Sequence, residues 1–241
     1  RNPVNQVKKP PRSSKVRDYL VKPDLIRKIF MVESLETRHR VPIIPLARFI
    51  CLTGCRLGEA IHLEWQDIDF LNRSWKIGQK THCPTLDRMG WAPKWKKPRT
   101  IKLIPEALEI LESLPRHEVT WGSVRKQDGV SWHQANFVFT VENNICDQEG
   151  SQTRHVRIGS VKRAWASLLE KAGVPSIQIK DLRTFFNWFL ITKLGLSHKE
   201  AGLYLGNSEQ VNFDHYTPVC LENLSDKLNL SRGAFLPKLL G

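Results

Sequence analysis

Apolar residues recur at helical spacing through most of this chain and alternate with polar ones in one stretch only, a contrast that limits the fold more than any other feature. In "KPDLIRKIFMVESL" the residues Leu25, Ile26, Ile29, Phe30 and Leu35 share one helical face. "IIPLARFICLTG" repeats the pattern through Leu46, Phe49 and Ile50 and stops at Gly54, a natural helix terminator. "RLGEAIHLEWQDIDF" restarts a helix with Leu57, Ala60, Ile61 and Leu63 inward, and another begins near Pro105, a favoured first helical residue. "IGSVKRAWASLLEKAG" is amphipathic through Val161, Ala164, Trp165, Leu168 and Leu169 and ends at Gly173. Helices are also predicted over "DLRTFFNWFLITKLG", over "SHKEAGLYLG" with Ser197 as N-cap, and over "CLENLSDKLNL". Between about Ser74 and Pro105, "SWKI" and "RTIKLI" alternate like strands around the turn-rich insert "GQKTHCPTLDRMGWAPKWKKP". "ETRHRVP" and "RHEVTWGSVRKQDG" read as loops. The expected fold is mainly α with a small antiparallel β-sheet, an α+β domain.

At 241 residues and 41% hydrophobic composition the chain has enough apolar side chains for a substantial core, and no segment reaches the apolar length of a membrane span. The opening "RNPVNQVKKPPRSSKVRDYL" is basic, lacks the apolar core of a signal peptide, and carries Pro3, Pro10 and Pro11 against regular structure. It reads as an interdomain linker over 1–18, leaving one domain over 19–241 and implying an upstream domain outside this sequence. A net charge of +13 suits a polyanionic partner, because Lys and Arg displace counterions from phosphates. The five cysteines are scattered, which argues for a reducing compartment over a disulfide scaffold. Cys51 and Cys55 share a helix face and His82 adjoins Cys83, but no second ligand pair stands at zinc spacing, so structural roles are expected.

Two arginines stand where a cation is costly. Arg56 lies between the apolar "FICLTGC" and "LGEAI", and Glu59, three residues on, can hold its guanidinium. Arg183 is flanked by Leu182, Phe185 and Phe186, with Lys180 one turn earlier; two adjacent cations make most sense around an anion. With Tyr216 downstream, the set suits phosphoryl transfer. Two guanidinium forks can bind the non-bridging oxygens of a five-coordinate phosphorus, and a cationic cluster favours phenolate in a phenol whose pKa is ordinarily about 10. A lysine can protonate the leaving 5′ oxygen.

These residues and their order resemble the tyrosine recombinases, or phage-type integrases. "LTGCRLGEAIHLEW" is similar to the family's first arginine motif, with Arg56 in the arginine place and Glu59 in the acidic one. "IKDLRTFFNWFLITKLGLSHKEAGLYLGNSEQVNFDHYTP" resembles the second box, with Arg183 as the second arginine, "YLGNS" at the leucine-glycine-histidine turn, and Tyr216 in the nucleophile's place. "WAPKWKKPRTIKLIPEAL" resembles the hairpin that bears the catalytic lysine, with Lys94 in the general-acid place, Lys96 as the near alternative and Lys80 as the third choice. The match spans the family's whole catalytic domain. It implies that Tyr216 attacks a DNA phosphodiester to give a 3′-phosphotyrosyl link and a free 5′-hydroxyl, with neither metal nor ATP as cofactor. The implied partners are a double-stranded DNA recombination site, three further copies in a tetrameric synapse, and an accessory directionality factor; the implied location is the cytoplasm, on DNA.

Two positions depart from the pattern. Lys180 stands where the first histidine is usual, and can donate to a phosphate oxygen as a point charge but not shuttle protons near neutrality. Asn207 fills the second histidine or tryptophan position and offers a hydrogen bond without charge. Two further readings share the same residues: a DNA-binding descendant with weakened cleavage, and a type IB topoisomerase-like enzyme that relaxes DNA without site choice.

Overall fold

The helical pattern becomes eight helices in the computed structural model, which describes residues 22–35, 40–83, 90–94, 97–126, 129–147 and 150–216, the last three of these (214–216) and the two hairpin tips by backbone alone. The linker reading over 1–18 and the helix expected at "CLENLSDKLNL" lie outside the described residues. Helix α1 (Pro23–Phe30) opens on a proline. Helix α2 (Ile43–Thr53) buries Leu46, Phe49 and Ile50, and Gly54 ends it in the left-handed region at φ 61°. After the short α3 (Leu57–Ile61) the chain makes a 3-10 turn and enters β1 (Ile68–Asp69), β2 (Ser74–Ile77) and β3 (Arg99–Lys102), an antiparallel sheet in that order. Trp75 of β2 faces Ile101 of β3, and both are buried. Helix α4 (Pro105–Ser113) follows.

The run 116–129, read as loop, supplies β4 and the start of β5 in a second sheet, whose remaining strands fall where the sequence suggested no element. Strands β4 (Thr120–Lys126) and β5 (Gly129–Ala135) form one hairpin, and β6 (Thr140–Asp147) and β7 (Gly150–Arg157) another. A parallel pairing of Trp121 with Val156 joins them in the order β5-β4-β7-β6. Phe137, Val138 and Phe139, between the hairpins, are buried, and Phe139 lies against Phe49 of α2 with ring centroids 5.5 Å apart. The sheet is therefore tied to the helical core at the link between its two hairpins.

Helix α5 (Lys162–Lys171) ends at Gly173, and Trp165 within it donates its indole N–H to the Ile177 carbonyl at 2.8 Å. Helices α6 (Asp181–Thr192), α7 (His198–Leu205) and α8 (Glu209–Tyr216) complete the described chain. Ser197 caps α7 by accepting the Glu200 N–H, and Glu200 reciprocates to the Ser197 N–H at 2.8 Å.

Candidate active site

Gly54 and the loops after α2 and α7 set the geometry. Past Gly54 the backbone runs extended through Arg56, the N-cap of α3, and Glu59 of the first turn accepts both the Arg56 backbone N–H (2.8 Å) and its guanidinium (3.0 Å). Arg99, the first residue of β3, donates two parallel hydrogen bonds to the same carboxylate at 2.9 and 2.8 Å. Glu59 is only 2% exposed. Burial pushes its pKa up, but the hydrogen bonds and charge of Arg99, with those of Arg56, outweigh this and hold it below the usual carboxylate range.

Arg183 emerges from α6 into the same place and is 3% exposed. Its Nη1 donates to the Gly54 carbonyl at 2.6 Å, and its Nη2 to the Leu205 carbonyl at 2.8 Å and to Asn207 Oδ1 at 3.1 Å. Arg56 Nη2 donates to that same Asn207 oxygen at 2.9 Å. One oxygen thus accepts from both arginines, although 127 positions of chain separate them (183 less 56). The other end of the amide, Nδ2, is buried without a hydrogen-bond partner among the described residues.

Two glycines make this convergence possible. A Cβ on Gly54 would stand 2.4 Å from Phe186 and 2.5 Å from Leu205, so α6 and α7 close onto the end of α2 only over a bare backbone. Gly206, at φ 73°, ends α7, and a Cβ there would lie 2.9 Å from the Arg99 side chain that reaches Glu59.

Three guanidinium groups and one carboxylate therefore meet in a single hydrogen-bonded cluster, which leaves an excess of positive charge beside an amide oxygen that two arginines already coordinate. Such a place fits an anionic oxygen of phosphate size. The sequence reading named Arg56, Glu59, Arg183 and Asn207, and the structure brings all four together. It missed Arg99, whose tie to Glu59 is visible only once β3 lies beside α3.

The remaining candidates are placed differently. Lys180 is the exposed N-cap residue of α6. Lys94 is exposed on the β2–β3 connection, and Lys96 lies outside the described residues. Lys80, the third lysine choice, is buried, its ammonium 2.8 Å from Glu64 and 2.6 Å from Asp67, a countercharge to both carboxylates. Tyr216 is the last residue of α8, and its side chain lies outside the described atoms. Tyr204 is a structural tyrosine: its hydroxyl donates to the Lys102 carbonyl at 2.7 Å, and burial pushes its phenol well above the usual range.

Glu64, His82 and Cys83 bring an oxygen, a nitrogen and a sulfur within 4.8 Å of one another, the donor types of a transition-metal centre. Here Lys80 already neutralises Glu64, His82 hydrogen-bonds it at 2.9 Å, and burial pushes the Cys83 thiol up to about 12. The carboxylate's charge is met by an ammonium, and the group reads as the polar knot that ties the β2–β3 connection to the 3-10 turn. Cys51 and Cys55 are free, buried thiols, each pushed up to about 12 by burial.

No protein-family model matches the chain, and no curated protein matches it in sequence. Solved structures do. The chain is similar to XerA recombinase at 17% identity and TM-score 0.60, over 93% of this chain and 67% of that one. It is similar to the Tn1549 transposon integrase, solved with circular intermediate DNA, at 15% identity and TM-score 0.58, over 88% of this chain and 66% of that one. XerH site-specific recombinase, bound to a palindromic difH substrate, matches at 18% identity and TM-score 0.51, over 89% of this chain and 52% of that one. The chain thus spans about two thirds of the first two proteins and half of the third. At these identities the likeness establishes the architecture: the chain has the α+β fold of a tyrosine recombinase catalytic domain.

Proposed function

We propose that this domain breaks and rejoins DNA strands at specific sites through a 3′-phosphotyrosyl intermediate. The carrying observation is the oxygen of Asn207, held at 2.9 Å by Arg56 and 3.1 Å by Arg183. In this reading a non-bridging oxygen of the scissile phosphate takes the place of Asn207 Oδ1 between the two guanidiniums, and the unpaired Nδ2 of the same amide donates to the phosphate. Glu59 and Arg99 hold Arg56 in position, and the Gly54 and Leu205 carbonyls hold Arg183. Lys180 adds charge at the edge of the site.

The Tyr216 phenol, losing its proton to solvent under the cationic field, forms the new O–P bond. The bond from phosphorus to the 5′ oxygen breaks, and that oxygen takes a proton from Lys94, or from Lys96 if the connection presents it instead. Attack by a 5′-hydroxyl on the phosphotyrosine reverses the step, so the energy of the broken bond is kept in the covalent link. Four protomers on two DNA sites would exchange strands, and an accessory protein would set direction.

The test is covalent capture. A pool of nicked duplexes with randomised cores, incubated with the protein and denatured, yields a DNA–protein adduct carrying the preferred site. Tyr216→Phe abolishes it. An adduct that persists in Tyr216→Phe overturns the nucleophile assignment. The presence of Lys180 at the usual histidine position and of Asn207 at the histidine or tryptophan position favours one rival, a DNA-binding relative with little cleavage. That rival predicts tight, salt-sensitive binding with no adduct from any member of the pool.

A further inference from the structure

Helix α8 ends on Tyr216, and among its described side chains no large apolar one is buried. Of its five side chains whose burial is described, Glu209, Gln210, Val211 and Phe213 are exposed, and Asn212 is wholly buried. A helix normally docks through an apolar stripe, and among these five the buried position of α8 is an amide. That amide meets another. Asn212 Nδ2 donates to Asn187 Oδ1 of α6 at 2.7 Å, and Asn187 is also 0% exposed. Asn212 Oδ1 faces His198 Nδ1 of α7 at 3.3 Å, and the His198 ring meets the edge of Phe213 at 5.1 Å between centroids.

We infer that Asn187 and Asn212 are positioning residues that latch the tyrosine helix to the helix bearing Arg183. This rests on the reading of Tyr216 as nucleophile. Asn212 stands four residues, one helical turn, before Tyr216, and Asn187 stands four residues, one turn, after Arg183. The amide pair therefore fixes the register of the nucleophile's backbone against the arginine that holds the phosphate. Hydrogen bonds are directional where apolar packing is not, so one register makes the bond between the two buried amides and a slip along the helix breaks it. The same polarity makes the latch releasable, because a separated pair can be solvated by water.

Hydrogen exchange and cleavage test this together. Asn187→Leu and Asn212→Leu each remove one end of the bond between the two amides, and the double Leu variant removes both ends at similar volume, with the half-buried His198 able to turn its Nδ1 to solvent. The expected result is exchange at the α8 amides faster by about tenfold or more in each single variant, with α2 and α5 unchanged, and protection largely regained in the double variant. Adduct formation by the single variants falls about tenfold while DNA affinity holds, since the phosphate contacts lie elsewhere. Unchanged α8 exchange in both single variants overturns the latch, as does an equal rise across the whole domain, which marks general destabilisation. Should wild type form no adduct with any substrate, the nucleophile reading fails, and the exchange arm still decides whether the amide pair holds α8.

Discussion

Glu59 is the residue on which the arginine cluster turns, because one buried carboxylate anchors Arg56 and Arg99 together. Replacing it with glutamine keeps the shape and removes the charge, leaving two guanidiniums facing each other without a counterion. Loss of one partner from a buried ion pair typically costs about 3–5 kcal/mol. Urea unfolding at neutral pH should show Glu59→Gln destabilised by about 3 kcal/mol, with adduct formation lost as Arg56 comes loose. The pH dependence has a definite sign. A carboxyl held below its unfolded value near 4.3 contributes stability that is present above that value and is lost as pH falls through the folded pKa. His62 adds a separate acid term: burial and then the charge of Arg157 lower it to about 3, so its neutral form is favoured and stability falls as pH drops from about 6.5 towards 3. The Glu59→Gln variant should keep the second slope and lose the first. Lys180 gives a complementary test. Changing it to histidine should introduce a titration near neutrality into the cleavage rate and alter that pH dependence more than DNA affinity, and identical pH profiles would remove Lys180 from the site.

The elements most legible in the sequence were those whose own pattern dictates them. Helices α2, α4, α5, α6 and α7 carry apolar faces and end at or shortly before Gly54, Gly173, Gly195 and Gly206, which adopt positive φ, or begin where Ser197 and Pro105 stand. The second sheet was not legible, because "TWGSVRK" holds a glycine and two cations and has no clean alternation; its strand state comes from pairing with β5 and β7, which the local sequence does not encode. The same distinction runs through the site. Arg56 and Glu59 are three residues apart and readable as a pair, whereas Arg99 to Glu59 spans 40 positions and Asn212 to Asn187 spans 25. Junctions between elements are also where substitution should bite. Gly54→Ala places a Cβ against Phe186 and Leu205 at a left-handed backbone, and strain of that kind costs about 1–3 kcal/mol before the clash is counted. Gly58, the second residue of α3, has open space around it and helical backbone, so Gly58→Ala should stabilise by about 0.5–1 kcal/mol. Thermal melts of the two variants should therefore move in opposite directions, and a Gly54→Ala protein as stable as wild type would mean that α2, α6 and α7 do not meet as described.

Across the whole molecule the charge that would find DNA and the charge that would act on it are separate populations. The chain carries 37 Lys and Arg, and three of those arginines form the cluster on Glu59 and Asn207, where hydrogen bonds to carboxylate, amide and carbonyl oxygens fix them. Exposed cations such as Lys162, Arg163 and Lys199 lie outside that cluster, at the molecular surface. If the proposed function holds, affinity should belong mainly to the exposed cations away from the site, and rate to the buried cluster together with the general-acid lysine. A protein that neutralises six or more phosphates loses about a thousandfold or more in affinity between 50 and 200 mM salt. Binding of this domain to a duplex should follow such a line. Arg56→Ala should lower the slope of log affinity against log salt by no more than about one unit, the share of a single phosphate contact, while reducing adduct formation by about a hundredfold. A flat salt response would remove the phosphate backbone as partner. A large drop in slope for Arg56→Ala would place that guanidinium among the binding charges and leave the convergence on Asn207 without a catalytic purpose.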